Sequence, residues 1–337
     1  MMKLLKSELF PLWHRPLRHA APAVRRVAAV ALGCWWMAGH VHAIPYSPEF
    51  LQSADGGKMQ YLSHGDFESW TTKTIKESRI LGGKTVNLMN LSGPWGSSNV
   101  WAKVSGVTKT NVSVYRDAHA GHGSCVKLYT HIVEAKVLGI INIKVLAAGS
   151  IYLGNTIQPI KDTKNPMAKL NAGQPFTGRP KALVFDYKTH IVPGDRIRQN
   201  GITKGSKVAG QDMADCVLYL QKRWEDAQGN IFAKRVGTMV QRWSKSVDWQ
   251  HNARFTIHYG DIRREKFYSS AWALTSGDNT KYARNSKGKM VPVKEVGWAA
   301  ADEAPTHIVL QFDSSHGGAY VGSVGNTLWV DNVRLAY

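Results

Sequence analysis

From Pro45 onward the chain is a succession of short runs in which apolar and polar residues alternate, each bounded by Gly, Asn, Asp or Pro, with almost no helical period. Side chains alternate faces along a strand and recur every three or four residues on a helix, so this pattern excludes a helical bundle. The runs that predict strands are 61–70, 84–92, 124–133, 140–153, 181–190, 215–224, 231–243, 253–259, 306–313 and 327–335, each rich in β-branched or aromatic residues. Strands without intervening helices predict an all-β fold, a sandwich or barrel, as one domain over residues 60–337 after a lead-in at 44–59. Insertions at 155–180, 194–212 and 277–305 interrupt the rhythm as long loops.

The N-terminus reads as a targeting segment. Residues 1–26 hold Lys3, Lys6, Arg15, Arg18, Arg25 and Arg26 against Glu8, and the apolar stretch Val27 to Gly39 precedes Val41-His42-Ala43. A basic region, a short apolar region and small residues near the cut predict a signal peptide over 1–43. The apolar stretch is shorter than the roughly 20 residues a membrane span needs, so no transmembrane span is expected. The protein is therefore expected to be secreted, periplasmic or at the cell surface. Ala31-Leu32-Gly33-Cys34 offers an alternative, a lipoprotein signal that acylates Cys34 and associates the protein with an outer membrane, but Trp35-Trp36-Met37 is apolar where such a chain turns polar.

The formal charge of +19 falls to +14 without this segment, which holds six of the 43 basic and one of the 24 acidic residues. Much of the remainder is scattered through the second and third insertions, and no recognised module gathers it, so nucleic acid is not an expected partner. The mature chain keeps Cys125 and Cys216. Two thiols are too few for a disulfide scaffold; they either pair with each other or stand apart as small buried apolar groups, and no CxxC or Cys/His cluster in the sequence suggests a metal site.

Alternation also assigns faces. In 308–313, Ile308, Leu310 and Phe312 face the core and His307, Val309, Gln311 and Asp313 point away. In 183–190 the core set is Leu183, Phe185 and Tyr187, leaving Asp186, Lys188 and His190 outward; in 217–224, Leu218 and Leu220 go in, and Tyr219, Gln221 and Arg223 come out. The strand ending at Trp243 puts Gln241 and Trp243 on one face. Amides, carboxylates, cations and rings on one surface suit a sugar, although an ordinary solvated sheet face looks the same.

The two ends of the domain carry its most specific motifs, Gly65-Asp66-Phe67-Glu68-Ser69-Trp70 and Gly325-Asn326-Thr327-Leu328-Trp329-Val330-Asp331-Asn332-Val333-Arg334-Leu335. This pairing resembles carbohydrate-binding modules of the galactose-binding-like jelly-roll type. With Gly173–Pro180, Phe185–Lys188, Met213-Ala214-Asp215, Lys222-Arg223-Trp224 and Gln311–Gly318, the chain is similar to the bacterial putative carbohydrate metabolism domain family over about 60–337. The resemblance implies an antiparallel β-sandwich of the jelly-roll kind, exported by a Gram-negative bacterium and linked to glycan use. It also implies a structural Ca²⁺ on Glu68 and Asp331; otherwise these are turn and strand-edge residues paired with nearby basic groups. No other cofactor is expected.

Three function classes follow. As a non-catalytic glycan binder, the protein would stack Tyr219 and Trp243 on sugar rings and bond hydroxyls through Asp186, Lys188, Gln221, Gln311 and Asp313. As a glycoside hydrolase it would need Asp186 and Asp313 to flank one bond, with His190 or His316 as acid or base; as a polysaccharide lyase it would need Tyr187, Lys188 and His190 to act on an acidic glycan. A structural or adhesive surface protein needs no cleft. Binding of a polysaccharide or oligosaccharide asks least of the residues and is the preferred reading.

Overall fold

The computed structural model describes residues 50–52, 57–137, 141–162, 165–202 and 204–337. The expected signal peptide and Cys34 lie outside them. Eleven strands carry the architecture: β1 (Lys58–Tyr61), β2 (Val114–His119), β3 (Gly123–Tyr129), β4 (Ser150–Thr156), β5 (Ala182–His190), β6 (Ala214–Glu225), β7 (Ile231–Trp243), β8 (Val247–Thr256), β9 (Met290–Trp298), β10 (His307–Asp313) and β11 (Thr327–Ala336). Among the described residues the chain is all-β apart from short 3₁₀ turns, as its alternation predicts.

Two large sheets face each other. In the seven-stranded one, β11 pairs with β5 on one side and with β1 and β3 on the other, β5 pairs with β8, β3 with β2, and the strand Phe50–Gln52 adds to β1. The second, ten-stranded sheet is centred on β10, β6 and β7. Leu183, Phe185, Leu328, Val330 and Val333 from the first sheet meet Leu218, Leu220, Met239, Ile308, Leu310 and Phe312 from the second in one apolar core. The phases read from β5, β6 and β10 thus place their core faces correctly.

The motifs at the two ends of the domain meet. Residues 61–70 are expected to be a strand but form a turn after β1, because Gly65 must lie against the closing strand. Val333 donates its N–H to the Gly65 carbonyl at 2.8 Å, and a Cβ on Gly65 would stand 2.7 Å from the Val333 oxygen. Phe67, at a φ of 50°, drops into the core edge-on to Trp95 at 5.2 Å, and the Trp70 indole N–H donates to its carbonyl at 2.8 Å. A bulky residue at positive φ is costly, and here burial of the whole Phe67 ring opposes that cost.

The long insertions carry strands of their own. Leu170–Ala172 from the first and Tyr282–Arg284 and β9 from the third close the ten-stranded sheet on itself: β4 pairs with β10, β10 with β6, β6 with β7, β7 with β9, β9 with 282–284, that strand with 170–172, and 170–172 with β4. The β7–β9 and 170–172/282–284 pairings are parallel; the remaining five are antiparallel. The second insertion builds a hairpin from Asp195–Arg198 and Ser206–Gln211.

Closure changes what the polar face of β6 and β10 meets, because the side chains turned away from the sandwich core now point into the ring. Val217, Tyr219, Val240 and Val309 form a second apolar cluster covered by Ala271 and Trp272. Arg235 is fully buried with its guanidinium 3.6 Å from the Tyr219 ring centroid. Its Nε donates to Glu295 Oε1 at 2.6 Å and its Nη2 to Oε2 at 2.5 Å, while Gln221 donates to Oε1 at 2.7 Å and the Thr275 N–H to Oε2 at 2.6 Å. Burial disfavours the Glu295 carboxylate, but the charge and bonds of Arg235 outweigh it and hold its pKa below the ordinary value. Neither charge would be tolerated there without the other.

Glu295→Ala strands the Arg235 charge in the ring and is expected to cost about 3–5 kcal/mol of stability, read from urea unfolding. A double change of Arg235 and Glu295 to Met is expected to recover most of that loss. A single-variant loss within ~0.5 kcal/mol of zero would show that the pair is not what the ring interior rests on.

Candidate functional site

The outer face of the seven-stranded sheet takes its shape from Asp186, in the middle of β5. Its Oδ1 accepts the Asn252 N–H at 2.6 Å and its Oδ2 accepts from the Asn332 side chain at 2.9 Å. Both asparagines have positive φ, 53° and 54°, and both lie where the pairing of β5 with its neighbours slips register. Asn tolerates this left-handed conformation better than most residues. A bulge inserts one residue and re-aims the side chains beside it. On β11 it lets Val330 and Val333 both face the core; on the outer face it leaves Asp331, and on β8 it leaves His251. Asp186, expected to bond a glycan, is only 2% exposed and fastens both bulges instead.

Around this seam the outer face is polar and aromatic. Half-buried Trp329 has Lys127 Nζ 5.4 Å and Lys188 Nζ 5.7 Å from its ring, and its indole N–H donates to Asp117 at 2.9 Å. Lys188 also pairs with exposed Asp248 at 3.0 Å. Tyr115 on β2 and His190 on β5 are exposed as well. A shallow recess of about 400 Å³ borders this face, lined by Glu68, Arg116, Asp117, Ala118, Gly123 and Ser124.

Four rings gather at the other end of the face. His119 ends β2, His122 follows in the turn to β3, and Trp249 and His251 come from β8. The His119 ring stacks on Trp249 at 3.7 Å, on His122 at 4.4 Å and on His251 at 5.2 Å. His119 is buried; His122 and His251 are exposed. His119 Nδ1 lies 2.6 Å from Asp331 Oδ2, while Nε2 is buried without a hydrogen-bond partner. Burial pushes the Asp331 carboxyl up to about 8, aided by Asp186 and Glu68 and opposed by the Asn332 N–H. Burial likewise lowers the His119 imidazole, with His122 and His251 acting in the same direction and Asp186 against them. The sequence suggested no Cys/His cluster; His119-Ala120-Gly121-His122 was its one local signal, and His251 joins it only through the sheet.

The other expected site residues lie elsewhere. Trp243, expected to stack on a sugar, is buried in the sandwich core against Phe185, Tyr187 and Phe255. Tyr219 and Gln221 lie inside the closed ring, where no glycan reaches them. Gln311 is buried there too, accepting from Lys281 Nζ at 2.6 Å and donating to Asp313 at 2.8 Å. Asp313 belongs to the ring and Asp186 to the other sheet, so these two carboxylates are not neighbours flanking a shared cleft. His316 lies 3.0 Å from Asp212 and accepts the Met213 N–H, anchoring a loop. Cys125 lies on the outer side of β3 and Cys216 in the sandwich core, so of the two alternatives the cysteines stand apart; both are free and buried, with burial pushing Cys125 up to about 12 and Cys216 well above the ordinary thiol value. Glu68 accepts the Ser124 N–H and hydroxyl at 2.6 Å each, with Arg116 beside it, and Asp331 meets His119 and the Asn332 N–H. Every oxygen of the two carboxylates thus already has a protein partner, a poor fit to the six to eight oxygens calcium gathers.

One carboxylate pair does form. Asp215 on β6 stands opposite Asp313 on β10, beside Arg242 at 3.6 Å and near Lys281. Burial, then the Asp313 charge, pushes Asp215 up to about 8, and burial raises Asp313 as well. Two buried carboxyls on facing strands disfavour each other's charged form, so the pair retains a proton near neutral pH.

Together these features define an all-β sandwich with one sheet closed into a ring and the other bearing a polar, aromatic outer face. The chain belongs to the putative carbohydrate metabolism domain family, whose model matches residues 66–336. Among solved structures it is similar to a putative glycoside hydrolase from Bacteroides thetaiotaomicron, at 19% identity over 79% of this chain and 71% of that one with a TM-score of 0.43. It is also similar to a putative glycoside hydrolase from Bacteroides vulgatus, at 16% identity over 80% of this chain and 96% of that one with a TM-score of 0.44. Comparison with curated proteins finds no match.

The raised Asp215 carboxyl fixes a pH dependence. A carboxyl raised from 3.8 to about 8 on folding stabilises the fold fully below the lower value, and that contribution is lost as pH rises through the higher one. Asp215→Asn, which keeps the shape and needs no proton, is expected to flatten the stability profile across this window in chemical unfolding. Parallel profiles for the two proteins between pH 5 and 9 would refute the assignment.

Proposed function

We propose that the protein is an exported, glycan-binding β-sandwich that recognises a polysaccharide without cleaving it, using the outer face of the seven-stranded sheet. Trp329 carries the reading: its indole is held by Asp117 and bracketed by Lys127 and Lys188. A planar ring suits the C–H face of a sugar and flanking ammonium groups suit a carboxylate, so the preferred ligand is an acidic polysaccharide. Of the residues expected from sequence to touch the glycan, Lys188 serves this face directly. The meeting of the Gly65–Trp70 turn with β11 supports kinship with jelly-roll carbohydrate-binding modules, and the basic, apolar N-terminus supports export through a signal peptide.

Family membership in carbohydrate metabolism fits a binder or an enzyme, and the placement of the carboxyl groups favours the binder. Asp186 is enclosed by the two asparagines, Asp215 and Asp313 face each other inside the ring, and Tyr187 packs on Trp243 at 4.8 Å, away from Lys188 and His190.

Affinity electrophoresis through neutral and uronate-bearing polysaccharides tests the proposal. Retardation is expected in acidic gels, weakening with salt, and Trp329→Ala and Lys188→Ala are each expected to weaken binding about tenfold or more, ~1.4 kcal/mol. Trp243→Ala is expected to lower stability by about 3–5 kcal/mol, as for a core aromatic, while leaving affinity unchanged. Unchanged affinity in Trp329→Ala, or release of reducing ends or unsaturated sugars from a bound polysaccharide, would overturn the reading.

A further inference from the structure

We infer that His119, His122 and His251 form a binding site for a divalent transition-metal ion of the zinc class, with Asp331 as the group that orients the buried ligand. One ligand nitrogen from each histidine lies within 4.8 Å of the others. Imidazole nitrogens bind zinc at about 2.0–2.1 Å, so three donors this close surround a single ion with small side-chain adjustments. His119 is the fixed member: it is 1% exposed, stacked on Trp249, and held through Nδ1 by Asp331 at 2.6 Å. A ring that donates Nδ1–H to a carboxylate presents the Nε2 lone pair, as metal-bound histidines do when a second group fixes their tautomer. That Nε2 is buried without a partner, an arrangement that leaves a polar atom desolvated with nothing in return. A metal ion supplies the missing partner.

The other two donors, His122 and His251, are exposed, and His251 keeps its Nδ1 3.7 Å from Asp186 Oδ2. The three rings lie nearly parallel, so these two must turn about their side-chain bonds to aim at the ion His119 faces. The backbone supports both. His122 sits between Gly121 and Gly123, at φ of 79° and 87°, in a turn closed by its N–H on the His119 carbonyl at 2.8 Å. His251 precedes the Asn252 bulge that Asp186 fastens. Three nitrogen donors without a thiolate favour zinc over softer ions, exclude the oxygen-rich preference of calcium, and leave a fourth position for water or an oxygen of a ligand.

This site does not depend on glycan binding. Untagged protein is stripped with chelator and titrated with Zn²⁺ by calorimetry, with Co²⁺ as a visible probe of coordination and Ca²⁺ as a control. Expected are one Zn²⁺ per chain, a rise in melting temperature, and d–d bands of four-coordinate Co²⁺. His122→Ala and His251→Ala, both at exposed positions, are each expected to abolish the Co²⁺ bands without lowering the metal-free melting temperature, and Asp331→Asn to weaken Zn²⁺ 10–100-fold. Absence of Zn²⁺ binding, binding that survives both histidine changes, or stabilisation by Ca²⁺ alone would each overturn the assignment. Retention of polysaccharide by the metal-free protein reports separately on the Trp329 face.

Discussion

The carboxylate of Asp186 holds two neighbouring strands in a distorted register at once. A bulge leaves a residue outside the ladder and costs a hydrogen bond unless something else satisfies it. One carboxylate between two bulges meets that need at the Asn252 N–H and holds the other bulge through the Asn332 side chain, whose own N–H goes to Asp331 Oδ1. The sheet can then remain continuous from β2 to β8 while aiming His251 and Asp331 outward at the same end, next to His119. Remove that acceptor, and both the strand register and the alignment of the imidazole cluster lose their support.

The second constraint is closure. An open sheet of this length would expose an edge and a polar face to water. By pairing β4 with β10, the chain converts that face into an interior, and polar groups that alternation assigns to solvent must satisfy one another. Arg235 with Glu295, Lys281 with Gln311 and Gln311 with Asp313 are the result. They satisfy one another inside the ring and leave the outer face of the other sheet to solvent. The division explains why carboxylates and cations that look available in the sequence are paired inside the ring, while Trp329, Lys127 and Lys188 stand on the outer face of the other sheet.

Strand positions were legible because burial on one side imposes a period of two: the run 231–243 coincides with β7, and 181–190 and 306–313 each match a strand to within one residue. Where the reading failed, a tertiary contact overrode the local pattern. The run 140–153 breaks at Gly149, where a Cβ would stand 2.3 Å from the Tyr129 nitrogen. The run 61–70 turns because Gly65 abuts Val333. Trp243 was read as a sugar platform because an aromatic residue at a strand end has the same pattern whether it faces the core or solvent; the packing of Phe185 and Phe255 decided the matter.

By itself the sequence determined the fold class, the core faces of the principal strands and the motifs at the two ends, because these follow from local alternation and from residue types with few conformational choices. Only the tertiary structure decided which polar face is solvent. Whether β4 reaches β10 to close a ring is a long-range pairing with no local signature, and it turned Tyr219, Gln221 and Gln311 inward. The same holds for the histidines: His119 and His122 are three residues apart, but His251 is more than a hundred further along, and only the pairing of β8 with β5 brings it to them.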